Sequence, residues 1–135
     1  MILVLIAHVL GAGILIGGTV FSMYLISSKQ ASSSVLKYIE SFGEIMKFAA
    51  LAQLITGVIL VSAEFSKFKS NRLFWIKMIL YVMSGILAGG ITRKNVIELQ
   101  KQANPNLAQL RKLMYVESLI LILIVSIGVF LVESD

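Results

Sequence analysis

This sequence predicts an all-α integral membrane protein, a four-helix bundle in up-down order. Three observations predict it. Apolar residues fill 58% of the 135 positions and charged ones only 14%, whereas soluble domains carry about a quarter charged residues. Four apolar stretches each approach the ~20 residues that a ~30 Å hydrocarbon core needs. The basic residues cluster between those stretches and beside them, the pattern of a membrane-topology signal.

The first span runs from Ile2 to Ser27. It opens on Ile2-Leu3-Val4-Leu5 with no basic segment ahead of it, so it reads as a retained helix and not as a cleavable signal. A Ser-rich loop, Ser27 to Ser34, leads to an amphipathic stretch around Tyr38 to Glu44 and then to a second span, Met46 to Ala63. The third span is Leu73 to Thr92 and the fourth Leu113 to Val132. Between them, Val96, Leu99, Leu107 and Leu110 form weak apolar stripes, which predict that helices three and four extend past the membrane as a short hairpin. Asn104-Pro105 is the expected break, with Asn104 as cap and Pro105 at the first helical position. No repeat or low-complexity tract divides the chain, so residues 1–135 read as one transmembrane domain.

Orientation follows from the cations. Lys29, Lys37, Arg93, Lys94, Lys101, Arg111 and Lys112 flank loops one and three, against Lys67, Lys69 and Arg72 in loop two. The positive-inside rule therefore places loops one and three in the cytoplasm and both termini on the extracytoplasmic side. The expected location is the cell membrane, multi-pass, with the lipid bilayer as the principal partner.

Composition excludes several classes. With no cysteine there is no disulfide, thiolate metal site or cysteine nucleophile. A net charge of +5 and a pI near 9.6 would suit nucleic acid, but topology accounts for these cations and no nucleic-acid partner is expected. Hydrolysis lacks a second histidine or an acidic pair. Gly11-x-Gly13 and Gly17-Gly18 lie inside an apolar helix, not after a strand, which is the wrong context for a phosphate loop.

Ionisable residues inside the spans are the remaining functional clues, because each is costly in hydrocarbon. His8, the only histidine, and Lys77 share the outer layer; Lys47 and Glu117 share the opposite one. His8, Gly11, Ala12, Leu15, Gly18, Thr19 and Ser22 fall on one small, weakly polar side of helix one. Lys77, Tyr81, Ser84, Gly85 and Ala88 make a similar stripe on helix three, and Gln53, Thr56 and Gly57 lie near mid-membrane on helix two. Converging faces of this kind suit a ligand site. The plainer alternatives are a His8 hydrogen-bonded to a neighbouring helix, a Lys77 that snorkels beside Trp75, and a Lys47–Glu117 ion pair or two snorkelling side chains. Gly13-xxx-Gly17 and Gly85-xxx-Gly89 read as helix-packing notches. The six methionines are scattered, more as filler than as copper ligands.

The run His8-Val-Leu-Gly-Ala-Gly-Ile-Leu15-Ile-Gly17-Gly18 resembles the opening helix of the copper-resistance D (CopD) family and of the related HemJ-type protoporphyrinogen oxidases. Trp75-Ile-Lys77, and Arg111-Lys-Leu-Met-Tyr-Val-Glu117 before an apolar run, look like the third and final helices of the HemJ group. The resemblance implies heme b with His8 as axial ligand and Lys77 as its companion, near the outer face, with Gly11, Leu15 and Tyr81 lining the site. Leu15 stands where the family has tryptophan, and Thr19-Val-Phe-Ser-Met-Tyr24 replaces its aromatic continuation, as in a shorter, divergent relative. A neutral imidazole suits iron, copper or zinc. One histidine cannot supply both axial ligands, so the iron would be five-coordinate, or completed by Met78, Met83, Lys77, a water or a second protomer.

The expected function is accordingly a heme-b membrane protein in electron transfer or in oxidation of a hydrophobic substrate. The alternatives are a non-catalytic subunit packing into a homo-oligomer or larger membrane complex and, last, a copper-handling protein.

Overall fold

A run of apolar side chains cannot hydrogen-bond its own backbone to lipid, so each span closes its N–H and C=O groups internally as a helix. The computed structural model describes residues 1–27 and 33–133; most of the Ser-rich loop, with Lys29, and Asp135 lie outside the described residues. Helix α1 is Ile2–Ser27, α2 Ser33–Ser62, and a single turn α3 Phe65–Phe68. Then α4, Arg72–Ile86, passes through a π-helical turn, Leu87–Thr92, into α5, Arg93–Gln100, and α6 is Ala108–Glu133. Four helical stretches are long and apolar enough to cross a membrane: Ile2–Ser27, Ser34–Ser62, Arg72–Gln100 and Ala108–Leu131. No strand occurs among the described residues. The chain is thus an all-α, four-helix, multi-pass membrane protein.

Local chemistry sets the helix starts. Asn71 Oδ1 accepts from Leu73 N at 2.9 Å and opens α4. Trp75 Nε1 donates to Lys69 O at 3.0 Å, and Phe74 packs tilted on Phe68 and edge to face with Trp75, the aromatic belt of this end. The expected cap of the last helix shifts: α6 begins at Ala108, where Asn106, not Asn104, accepts from Ala108 N at 3.0 Å. Pro105 stays in the connection, because burial of Leu107 against neighbouring helices decides where the chain turns. Helix α2 is continuous from Ser33, so the amphipathic lead-in and the second span are one helix.

Helix α1 packs between α2 and α6, α4 packs on α6, and α5 returns to α2. The seam on α6 is regular. Leu107, Leu110, Met114, Glu117, Leu121, Ile124 and Leu131 are buried, alternating by three and four residues with half-buried Gly128 completing the row. That is the 3.5-residue repeat of left-handed helix packing.

The tightest packing lies at one end. Ile26, Leu36, Ile39, Val96, Leu99, Leu107, Leu110 and Met114 form one cluster beside loops one and three, here called the basic end. The stripes on α5 and the start of α6 are therefore the principal core. Polar clasps surround it: Arg93 pairs with Glu44 at 2.9 Å, Gln100 Nε2 donates to Glu40 Oε2 at 2.7 Å, and Arg111 Nη2 donates to Ile26 O at 3.2 Å. At the opposite, terminal end, Ile2, Leu3, Val9 and Leu10 are largely exposed, the surface that lipid covers.

Leu110 is wholly buried and Ile122 is 53% exposed. Leu110→Ala is expected to cost about 2–5 kcal/mol and Ile122→Ala less than about 0.5 kcal/mol. Reversible unfolding in mixed detergent micelles measures both.

Candidate functional site

Toward the terminal end the polar residues of α1 and α2 meet. The two helices run antiparallel with close contacts at Gly18 against Met46 and Phe21 against Phe42, ring centroids 5.2 Å apart. Continuing that register brings His8 level with Thr56. His8 Nδ1 lies 3.0 Å from Thr56 Oγ1, and His8 Nε2 lies 3.3 Å from Gln53 Nε2. The Thr56 hydroxyl donates to Ala52 O at 2.8 Å, so its lone pair is left to accept from His8 Nδ1–H. The Nε2 lone pair then accepts from the Gln53 amide, a tautomer assigned from the network.

Small residues make this approach possible. A methyl group on Gly57 would stand 3.2 Å from His8 Cε1, and one on Gly11 would stand 2.6 Å from Gln53 Oε1. Gln53 is only 8% exposed, and its Oε1 has no hydrogen-bond partner. Leu15 lies a turn further along α1, where its carbonyl accepts from Thr19 Oγ1 at 2.8 Å.

The other wall comes from α4 and α6. Tyr81 OH donates to Ala50 O and ties α4 to α2. Lys77, one turn nearer the terminal end, rests its Nζ about where a methyl on Gly128 would project, 3.1 Å away. It lies within electrostatic reach of His8, and no hydrogen bond or ion pair joins it to another described residue. Gln53 Oε1 on α2 is thus an acceptor without a partner, and Lys77 Nζ on α4 rests against α6 at Gly128. Of the stripe on α4, Ser84 is buried, but Gly85 faces outward.

A second polar position lies deeper. Glu117 occupies the α6 seam at 8% exposure and has no hydrogen-bond or ion-pair partner among the described residues. The pairing with Lys47 does not form. Lys47 lies on the exposed face of α2, and α1 packs against both α2 and α6. Thr92 Oγ1, at the end of the π-helical turn, and Asn95 Oδ1, on α5, are also buried without partners. The 3.5-residue repeat of α6 is the sequence signal that would have placed Glu117 on a buried face.

For heme b the donor chemistry is suitable, a neutral imidazole beside a cation. Both nitrogens of His8 are engaged by α2, so ligation of iron would require one of those partners to turn away. For copper, no cluster of three or more His, Cys, Asp or Glu side chains occurs among the described residues. Met46 Sδ accepts from Thr19 Oγ1 at 3.8 Å, about three turns along α1 from His8. No protein-family model, no curated protein and no solved structure matches this chain.

His8→Ala leaves Gln53 and Thr56 without their partner and is expected to cost about 1–3 kcal/mol. Glu117→Leu completes an apolar seam and is expected to stabilise the bundle by about 1–3 kcal/mol. Thermal unfolding of the two variants beside the parent reads both signs.

Proposed function

We propose that this chain is a non-enzymatic packing subunit, a bundle that docks other transmembrane helices through glycine notches on its lipid-facing surface. One observation carries the reading. A methyl group added at Gly13, Gly17, Gly85 or Gly89 would meet nothing within 4 Å, so the chain's own helices leave both small-xxx-small notches open. In lipid, helices associate by close van der Waals packing, and such notches admit a second backbone. His8, joined to Thr56 and Gln53, then serves as a strut that fixes α1 on α2 and holds the first notch outward. The partner is a transmembrane helix of another subunit, or of a second copy.

A second reading, heme b in electron transfer or in oxidation of a hydrophobic substrate, is favoured by the approach of Lys77 to His8 and by the family resemblance of those positions. Ligation requires the Gln53 amide to turn away from Nε2.

Gly13→Ile/Gly17→Ile and Gly85→Ile/Gly89→Ile are expected to fold, because their side chains enter open space, and at least one pair abolishes co-purification or self-association. Unchanged association in both pairs overturns the packing reading. Visible spectra of detergent-purified protein, oxidised and dithionite-reduced, test the second. Heme at His8 gives a Soret band that His8→Ala removes and Gln53→Ala keeps; a featureless spectrum after heme supplementation rejects it.

A further inference from the structure

Where α1 ends and α6 begins, a crevice of about 300 Å³ opens between Met23 and Ser27 on one helix and Arg111, Lys112 and Tyr115 on the other. Its walls are apolar and its mouth is cationic. Arg111 is held at that mouth by its 3.2 Å hydrogen bond to Ile26 O. This bond also satisfies a carbonyl at the negative end of the α1 dipole. A guanidinium carries five N–H donors in a rigid fork, so one bond to Ile26 leaves most of them for a ligand. Lys112 is exposed and next in sequence, and no described residue pairs with it. No acidic side chain lines this crevice: Glu44 holds Arg93, Glu40 holds Gln100, Glu98 shares with Lys112 the lining of a separate pocket on the α5 side, and Glu117 is buried nearly two turns further along α6.

We infer that this crevice is a seat for an anionic phospholipid, its phosphate between Arg111 and Lys112 and an acyl chain along Met23 and Tyr115. Position and charge agree. The positive-inside rule puts this end at the cytoplasmic leaflet, where anionic lipids concentrate. Basic pockets between transmembrane helices on that side suit anionic headgroups. Planar bidentate recognition by Arg beside a point charge from Lys is the donor set that a phosphodiester takes. The opening faces lipid: Tyr115 is 57% exposed, and the apolar surface of α6 continues from it through Leu119 and Ile122.

The test uses the full chain in neutral detergent, titrated with phosphatidylglycerol, with phosphatidylcholine, or with inorganic phosphate, and read by native mass spectrometry. Phosphatidylglycerol is expected to bind in preference to phosphatidylcholine, undisplaced by inorganic phosphate. Lys112→Gln should weaken it about fivefold and Arg111→Gln/Lys112→Gln about thirtyfold, from the field of one and two surface cations. Lys112→Gln touches only an exposed side chain and keeps the measurement interpretable if loss of the Ile26 bond unfolds the double variant. Lys94→Gln/Lys101→Gln, with the same charge change on α5 and the turn after it, should bind as the parent does. Equal loss in that control, equal binding of phosphatidylcholine, unchanged binding in Lys112→Gln, or displacement by inorganic phosphate each overturns the proposal.

Discussion

The hydrophobic effect needs water, and the lipid interior supplies none. Between helices inside a bilayer, burying a leucine exchanges one apolar contact for another, so packing there rests on close fit and hydrogen bonds. This constraint explains why the large apolar cluster of the bundle lies at the basic end, where α5 and the first turns of α6 extend the helices past the hydrocarbon. Ile26, Leu36, Val96, Leu99, Leu107 and Leu110 are removed from water there. Each such side chain stabilises by about 1.5–3 kcal/mol relative to exposure. The cluster ties the end of α1, the start of α2, α5 and the start of α6 into one knot. The terminal half has no counterpart and is joined by other means.

Those means are polar. His8 bridges α1 to α2 through Thr56 and Gln53, and Tyr81 bridges α4 to Ala50 of α2. Membrane hydrogen bonds between helices are worth only about 0.6 kcal/mol on average, so they specify register more than they bind. Their value is directional. A histidine whose two nitrogens must each find a partner accepts one helix rotation and rejects its neighbours. Gly11 and Gly57 are needed because the ring and the Gln53 amide occupy the space their side chains would fill. Lys77 and Glu117 follow no such rule: each lies inside the bundle without a described partner, at different depths along α6. They add cost and no register.

Spans and faces were legible because they depend on one helix at a time. The continuous apolar run of α1 fixed its length. The spacing of Gly11, Thr19 and Ser22 correctly marked its buried side. Partnership between helices was not legible. Depth alone set Glu117 opposite Lys47, but depth does not say which helices are neighbours, and α1 packs against both of theirs. His8 and Lys77 were matched by depth and do approach, yet the hydrogen bonds of His8 run to α2. Likewise, Val96 and Leu107 look weak as isolated stripes, and only the return of α5 against α2 converts them into a core. The notches were identified as packing surfaces from their spacing, but which side of the helix they occupy follows from where His8 and the α6 seam turn α1.

The two halves of the bundle therefore meet different demands. A knot at the basic end can hold four helices together without requiring every transmembrane face to be buried. Freed from that requirement, α1 and α4 keep glycine notches on their outer surfaces at little cost, since an exposed glycine in lipid forgoes only van der Waals contact that a lipid tail partly restores. A half-buried strut at His8 then orients the notch on α1. Stability is thus concentrated where water can supply it. Rotational precision is concentrated where the helices must present a surface, and the two are separated along the membrane normal.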